Sequence, residues 1–132
     1  METLIEVSHV SKSYGKVQAL RDVSFQVKQG ELFGLIGPDG SGKSTLFRIL
    51  TTVLKPDQGM AHVLHADVLA DFRTIRRSVG YMPGRFSLYQ DLTVEENLRF
   101  FATVFHTTVE ENYERIRPIY EQIAPFKNRR AG

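Results

Sequence analysis

The chain has 132 residues, which is the size of at most one domain and is enough to bury most of its apolar surface on folding. Its hydrophobic content of 42% and charged content of 24% are ordinary for a globular chain, and its net charge of +2 is too small to indicate nucleic acid as a partner. The absence of cysteine excludes disulfides and thiolate metal sites. The N-terminus lacks the features of a signal peptide, and no apolar stretch approaches the roughly 20 residues that span a bilayer, so we expect a cytoplasmic protein.

The N-terminal segment predicts two antiparallel strands and then a buried one. Apolar residues within 4–10 indicate the first strand, residues 13–16 form a turn, and residues 17–27 contain a second strand with alternating apolar and polar positions. The apolar run at 31–36 predicts a buried strand of the kind found in parallel sheets that are covered by helices.

A glycine-rich loop at 37–45 follows this run and fits the pattern G-x-x-x-x-G-K-[ST]. Its glycines let backbone N–H groups surround phosphate oxygens, Lys43 reaches the β- and γ-phosphates, and the Ser44 hydroxyl can ligate Mg²⁺. Apolar residues at helical spacing after the loop predict a helix, whose positive dipole end faces the anion. We therefore expect a nucleoside triphosphate and Mg²⁺ to bind here. The candidate phosphate-binding residues are Gly37, Pro38, Asp39, Gly40, Ser41, Gly42, Lys43, Ser44 and Thr45.

Shorter elements are predicted after the first helix. A turn at 55–59 precedes a strand at 60–64, Asp71 caps a brief helix that ends near residue 77, and residues 79–82 predict another buried strand.

Two capping boxes, at 93–96 and 108–111, predict two further helices. Pro118 lies within the second and is expected to kink or end it. The first carries aromatic residues that we expect to lie in the core, namely Phe100, Phe101 and Phe105.

Several segments resemble the nucleotide-binding domain of ABC transporters. In chain order they are 19–25, 30–37, the loop itself, 54–59, 79–83 and 92–98. The resemblance covers essentially the whole chain, and the residues around the loop are most similar to the ATPases of ABC-2-type exporters. It implies an α/β fold in which 1–132 form part of a nucleotide-binding domain. The ATP-binding P-loop NTPase core, with its N-terminal antiparallel β subdomain, would occupy residues 1–92. Residues 93–132 would form the first part of the helical subdomain.

The resemblance also implies a function, which is to couple ATP binding and hydrolysis to membrane transport. The implied ligands are ATP and Mg²⁺, and Tyr14 is implied to stack on adenine, which a flat aromatic ring can do without hydrogen bonds. The implied partners are a transmembrane permease subunit and a second nucleotide-binding domain, and the implied location is the inner face of the cell membrane, reached through the permease.

The chain departs from the family pattern in two respects. Gly84 stands where the family has a glutamine that approaches Mg²⁺ and the attacking water. The sequence also reaches Gly132 before the Leu-Ser-Gly-Gly signature, the Walker B acids and the switch histidine, so the C-terminal part of the domain is absent from these residues. We therefore assign no catalytic residue, leave ATPase activity open, and expect ATP binding rather than hydrolysis. We also expect an exposed apolar edge at 32–36 and marginal stability.

Two alternatives remain open. The chain could be a non-catalytic interaction fragment that docks to a permease, or to a separate C-terminal half, through residues 86–89. It could also be a different phosphate-loop enzyme, such as a small-molecule kinase. That enzyme would need a Mg²⁺-binding acid, and none of the available aspartates follows an apolar strand; they are Asp39, Asp57, Asp67 and Asp71.

Overall fold

The computed structural model describes residues 1–132 and divides into two units, Met1–Tyr81 and Met82–Gly132. The first unit contains strands β1 (Thr3–Tyr14), β2 (Val17–Lys28), β3 (Gln58–Val63) and β4 (Ala66–Asp67), with helices α1 (Lys43–Leu50) and α2 (Phe72–Ser78). The second unit contains helices α3 (Val94–Val104) and α4 (Tyr113–Ile123), followed by a 3₁₀ turn at Ala124–Phe126. No helix has the length and apolar character that crossing a bilayer requires. The expected division after residue 92 concerns the family's subdomains and stays a prediction.

The sheet of the first unit is antiparallel throughout and has the order β2-β1-β3-β4. The predicted antiparallel pairing of the first two strands is confirmed. Strands β1 and β2 are joined by a tight turn in which Tyr14 pairs with Val17, and Gly15 between them has a φ of 56°. Glycine suits this position because it enters the left-handed region without a Cβ penalty.

The core of the first unit lies between the sheet and two helices. Ile49 of α1, Ile75 of α2, and Val10 and Ala61 of the sheet are each 0% exposed. Leu46 belongs to the same cluster, at the helical spacing that the sequence predicts. Burying a side chain such as isoleucine contributes about 1.5–3 kcal/mol, so this packing fixes α1 against the sheet.

The two predicted buried strands are not formed, and this part of the sequence-based interpretation is wrong. Residues 31–36 and 79–82 have no strand pairing. Leu32 and Ile36 are 100% and 101% exposed, as expected for an uncovered apolar edge. A strand of this type is buried only when neighbouring strands and covering helices surround it, and none of the 132 residues supplies those neighbours here.

The first helix of the second unit, α3, is well capped at its N-terminus. The Thr93 hydroxyl accepts from the Glu96 N–H at 3.1 Å, and the Glu96 carboxylate accepts from the Thr93 N–H at 2.7 Å, which confirms the first capping box. The corresponding bonds at 108–111 also form, but α4 begins only at Tyr113. Helix α4 continues past Pro118 to Ile123, so of the two expected outcomes the proline does not end the helix. The loss is one hydrogen bond on an exposed helix, where water can satisfy the freed carbonyl.

Candidate phosphate-binding site

The glycine-rich loop leads directly into α1, as the motif requires. Gly42 is the N-cap residue and has a φ of 93°, and a Cβ there would overlap the backbone oxygen of Ala19 and lie 2.8 Å from Cδ2 of Leu20. Only glycine fits both the left-handed conformation and this close approach. Helix α1 therefore starts at Lys43 with its N-terminus at the loop.

The ammonium group of Lys43 lies over the loop and is held by oxygen atoms of the loop. It donates to the carbonyl oxygens of Gly37 at 2.5 Å and Pro38 at 2.7 Å, and to the hydroxyl of Ser41 at 3.0 Å. A Cβ on Gly37 would lie 2.8 Å from that hydroxyl, so the loop closes tightly at this point. The arrangement places one full positive charge at the centre of the predicted phosphate site.

An open cleft of about 340 Å³ lies against the loop. Of the predicted residues, Asp39 to Thr45 line it, and Gly37 and Pro38 contribute through their carbonyl bonds to Lys43. Sequence reasoning missed Val17 and Ala19 of β2, which also line the cleft. The only feature of the sequence that could have indicated these two residues is their position directly after the turn that follows Tyr14.

Tyr14 lies beside the cleft rather than in its lining. Its ring is at the end of β1, the residue is 45% exposed, and its hydroxyl lies 3.4 Å from the hydroxyl of Thr45. Thr45 is only 8% exposed and belongs to the first turn of α1, so the contact joins Tyr14 to the helix that begins at the loop.

The only predicted metal ligand is Ser44, which is exposed and lies in the cleft lining. No group of three or more histidine, aspartate or glutamate side chains in the chain could hold a metal ion. This donor set fits Mg²⁺ arriving with a nucleotide, because Mg²⁺ keeps several waters and takes its other ligands from substrate phosphates.

The end of β1 is also held from the other side, by Asp57. Its carboxylate accepts from the Lys12 ammonium and from the Ser13 N–H, each at 2.8 Å. The hydrogen bond from Lys12, followed by that from Ser13, holds the pKa of the Asp57 carboxyl below its ordinary value of 3.8. Asp57 is therefore a structural anion and is not free to bind a metal.

In the second unit, Gly84 has open space around it and contributes no side chain. The aromatic residues that were expected in the core are partly exposed, since Phe100, Phe101 and Phe105 are 41%, 37% and 50% exposed. They extend an apolar surface instead of filling a core. Tyr89 lies against Phe100, with ring centroids 5.0 Å apart.

A buried asparagine holds the segment next to this surface, and sequence reasoning missed it. Asn97 of α3 is 2% exposed. Its side chain accepts from the Tyr89 N–H at 2.9 Å and donates to the Tyr89 and Thr93 carbonyl oxygens at 2.9 and 3.0 Å. Residues 89–93 are thus fixed to the start of α3.

The loop, its lysine and the hairpin beside them can be compared with known proteins. Residues 20–131 match the family model described as ABC transporter. The chain belongs to this family. ATP binding and ATPase activity are properties of the ATP-binding proteins of this family.

Relatives of this ABC transporter chain are ATP-binding proteins from bacteria. It is 43% identical over 120 residues to the probable multidrug ABC transporter ATP-binding protein YbhF of Escherichia coli, covering 91% of this chain and 21% of that protein. It is 38% identical to the Nod factor export ATP-binding protein I of Sinorhizobium fredii, covering 91% of this chain and 35% of that protein. It is 35% identical to the doxorubicin resistance ATP-binding protein DrrA of Mycobacterium tuberculosis, covering 91% of this chain and 37% of that protein. The chain thus spans well under half of each relative's length.

Solved structures give the same assignment. An ATP-binding subunit of an ABC transporter aligns with a TM-score of 0.83 at 31% identity, covering 96% of this chain and 53% of that one. The dimeric post-hydrolysis state of the ATP-binding cassette MJ0796 bound to ADP and Pi aligns with a TM-score of 0.80 at 26% identity, covering 96% of this chain and 61% of that one. The fold is that of ABC ATPase domains, as the sequence predicts.

Proposed function

We propose that this chain binds ATP with Mg²⁺ through residues 37–45, as part of the ATP-binding subunit of an ABC transporter. The observation that carries the proposal is the position of Lys43, whose ammonium lies over the loop on the oxygens of Gly37, Pro38 and Ser41. A triphosphate brings several anionic oxygens into the cleft, and these replace neutral carbonyls as partners of the lysine. The ammonium then pairs with full negative charges instead of with the dipoles of neutral carbonyl groups, so the exchange favours binding electrostatically.

The remaining parts of the nucleotide have candidate partners on the same side of the loop. Ser44 supplies a hydroxyl for Mg²⁺, while backbone N–H groups of the loop and the α1 dipole favour the phosphates. Tyr14 provides the adenine platform, next to Val17 and Ala19, which line the adjoining part of the cleft. The hydroxyl contact with Thr45 supports this role, because it holds the ring next to the loop.

Binding without appreciable hydrolysis is the activity that we propose for these residues. Phosphoryl transfer depends on positioning the nucleophile and neutralising charge, which requires a group that orients water. Gly84 has no side chain to do so, and Asp57 and Asp67 are occupied as hydrogen-bond acceptors of Lys12 and of backbone N–H groups. The same bonds remove Asp57 and Asp67 from the four aspartates that a small-molecule kinase could use to bind Mg²⁺.

Isothermal titration calorimetry of the 132-residue chain with ATP and Mg²⁺ tests this proposal. The wild-type chain should bind, and Lys43→Ala should abolish binding. Lys55→Ala removes an exposed lysine in the turn after α1 and should leave binding unchanged. Wild-type affinity retained in Lys43→Ala, or no binding by the wild-type chain, would contradict a competent loop.

A second candidate function is docking to a transmembrane permease subunit, and the exposed apolar surface of the second unit favours it. Phe86 is 57% exposed, Leu88 is 41% exposed and Tyr89 is 51% exposed. Large apolar side chains grouped on a surface in this way are typical of interaction sites. Co-purification with a co-expressed permease should be lost in Phe86→Ser and Leu88→Ser but kept in Lys55→Ala; equal recovery of all variants would exclude the surface.

The proposed site of action is the inner face of the membrane, and a second nucleotide-binding domain is the proposed partner across the ATP site.

A further inference from the structure

Asp57 makes an unusual set of bonds to the end of β1. It lies directly before β3, and its own N–H donates to the Ser11 carbonyl at 2.9 Å. Its carboxylate then reaches along β1, accepting from the Lys12 ammonium and the Ser13 N–H, both at 2.8 Å. Asp57 thus contacts three consecutive residues of β1, Ser11, Lys12 and Ser13, although Ser13 lies 44 positions earlier in the sequence.

These bonds lie where the pairing of β1 with β3 stops. The last pair in that ladder is Ser11 with Gln58, so β1 continues past it without a β3 partner. Backbone N–H groups of alternate residues point to the same edge of a strand, and the Ser13 N–H is the next one on this edge after Ser11. The Asp57 carboxylate takes the place of the missing strand at this position and satisfies that donor.

The residue after Ser13 is Tyr14, whose backbone pairs with Val17 of β2. Its hydroxyl contacts Thr45 at 3.4 Å, which is a long hydrogen bond, and its backbone is held through Ser13 by Asp57. The turn that follows contains Gly15 at a positive φ and offers little stiffness of its own. Among the contacts that reach this end of β1 from outside the hairpin, the bonds of Asp57 to Lys12 and Ser13, at 2.8 Å, are shorter than the 3.4 Å contact of Tyr14 with Thr45.

We propose that Asp57 is a positioning residue for the adenine-binding platform, acting on Tyr14 through the backbone of Ser13. The inference rests on the proposed function, because it assumes that Tyr14 stacks on adenine. Asp57 does not touch the nucleotide. By fixing the end of β1 before the nucleotide arrives, it lowers the cost of ordering the ring on binding, which is how preorganisation raises affinity.

The test compares two ligands, MgATP and inorganic magnesium triphosphate, which share the phosphate chain but not the base. Asp57→Ala should raise the Kd for ATP about three- to tenfold, which is less than the full contribution of one charged hydrogen bond because Asp57 acts on the ring only through the backbone, and should change the Kd for triphosphate less than about twofold. Asp67→Ala is the matched control, since its carboxylate also accepts two backbone N–H groups, those of Leu69 and Ala70, and both ligands should keep their affinity. Asp57→Asn keeps an oxygen for the Ser13 N–H and should recover part of the ATP affinity.

A double-mutant cycle with Tyr14→Ala separates positioning from general destabilisation. In the Tyr14→Ala background, Asp57→Ala should no longer affect ATP binding, because the ring it positions is gone. The inference is overturned if Asp57→Ala weakens both ligands equally, if its effect on ATP persists without Tyr14, or if ATP affinity does not change. If Asp57→Ala does not fold, Asp57→Asn is read by the same criteria.

The cycle also distinguishes failure of the inference from failure of the proposed function. If Tyr14→Ala weakens ATP binding but neither Asp57 variant does, only the positioning role is excluded. If Tyr14→Ala leaves ATP affinity unchanged while Lys43→Ala abolishes it, adenine stacking by Tyr14 is excluded as well.

Discussion

Replacing Gly42 by alanine should destabilise the first unit more than the same change at Gly40. Both glycines have positive φ, at 93° and 81°, and forcing an L-residue into this region costs about 1–2 kcal/mol. The two sites differ in the space around them. A Cβ at Gly40 meets nothing within 4 Å, whereas one at Gly42 overlaps the Ala19 backbone and presses on Leu20, which is 5% exposed. Overlap in a packed region costs about a further 1–3 kcal/mol, so Gly42→Ala should lose about 2–5 kcal/mol in total.

Urea unfolding followed by circular dichroism measures both variants on one scale. The difference between them isolates the steric term, because the dihedral penalty is common to the pair. MgATP titration should show that Gly42→Ala also loses nucleotide binding, since the start of α1 must move to relieve the overlap. A Gly42→Ala variant that is no less stable than Gly40→Ala would exclude this steric cost.

Two further predictions concern packing and pH. Ile49→Ala removes a side chain that is 0% exposed and should lower the free energy of unfolding by about 2–5 kcal/mol. Leu32→Ala changes a side chain that is 100% exposed, so it should leave the free energy of unfolding unchanged and reduce self-association on size-exclusion chromatography. Equal losses for the two variants in urea unfolding would contradict this. The hydrogen bonds from Thr93, backbone first and then side chain, hold the pKa of Glu96 below its ordinary value of 4.5, so its stabilising effect is complete above that value and disappears as the pH falls through the lowered pKa. Thermal melts of wild type and Glu96→Ala should therefore differ near about pH 7 and converge in acid, and a gap that stays constant would exclude the capping role.

The features that the sequence predicts well are those that depend on local chemistry. The sequence predicts the phosphate loop because its glycines, Lys43 and Ser44 occur at a fixed spacing before a helix. Helix α1 begins at Lys43, as that spacing requires. The capping box at Thr93 and Glu96 is readable for the same reason, because its bonds join residues three positions apart.

The features that the sequence did not predict depend on distant partners. An apolar run such as 31–36 indicates a capacity to be buried, and whether a strand forms depends on neighbours that pair with it. Asn97 reads as an ordinary polar position on α3, yet it is buried because it satisfies the backbone of Tyr89. Asp57 reads as a turn residue, and its bonds to Lys12 and Ser13 cross 45 and 44 positions of sequence.

An NMR titration of the chain with MgATP, followed on both backbone amide and aromatic ring protons, tests most directly whether this loop binds ATP. If the loop binds ATP, the largest shifts fall on the backbone N–H groups of residues 37–45, and the Tyr14 ring protons move upfield as adenine stacks on them. Lys43→Ala should show neither change. Shifts that are absent, or that concentrate outside the loop and the β1–β2 turn, would contradict the assignment of this loop as an ATP-binding site.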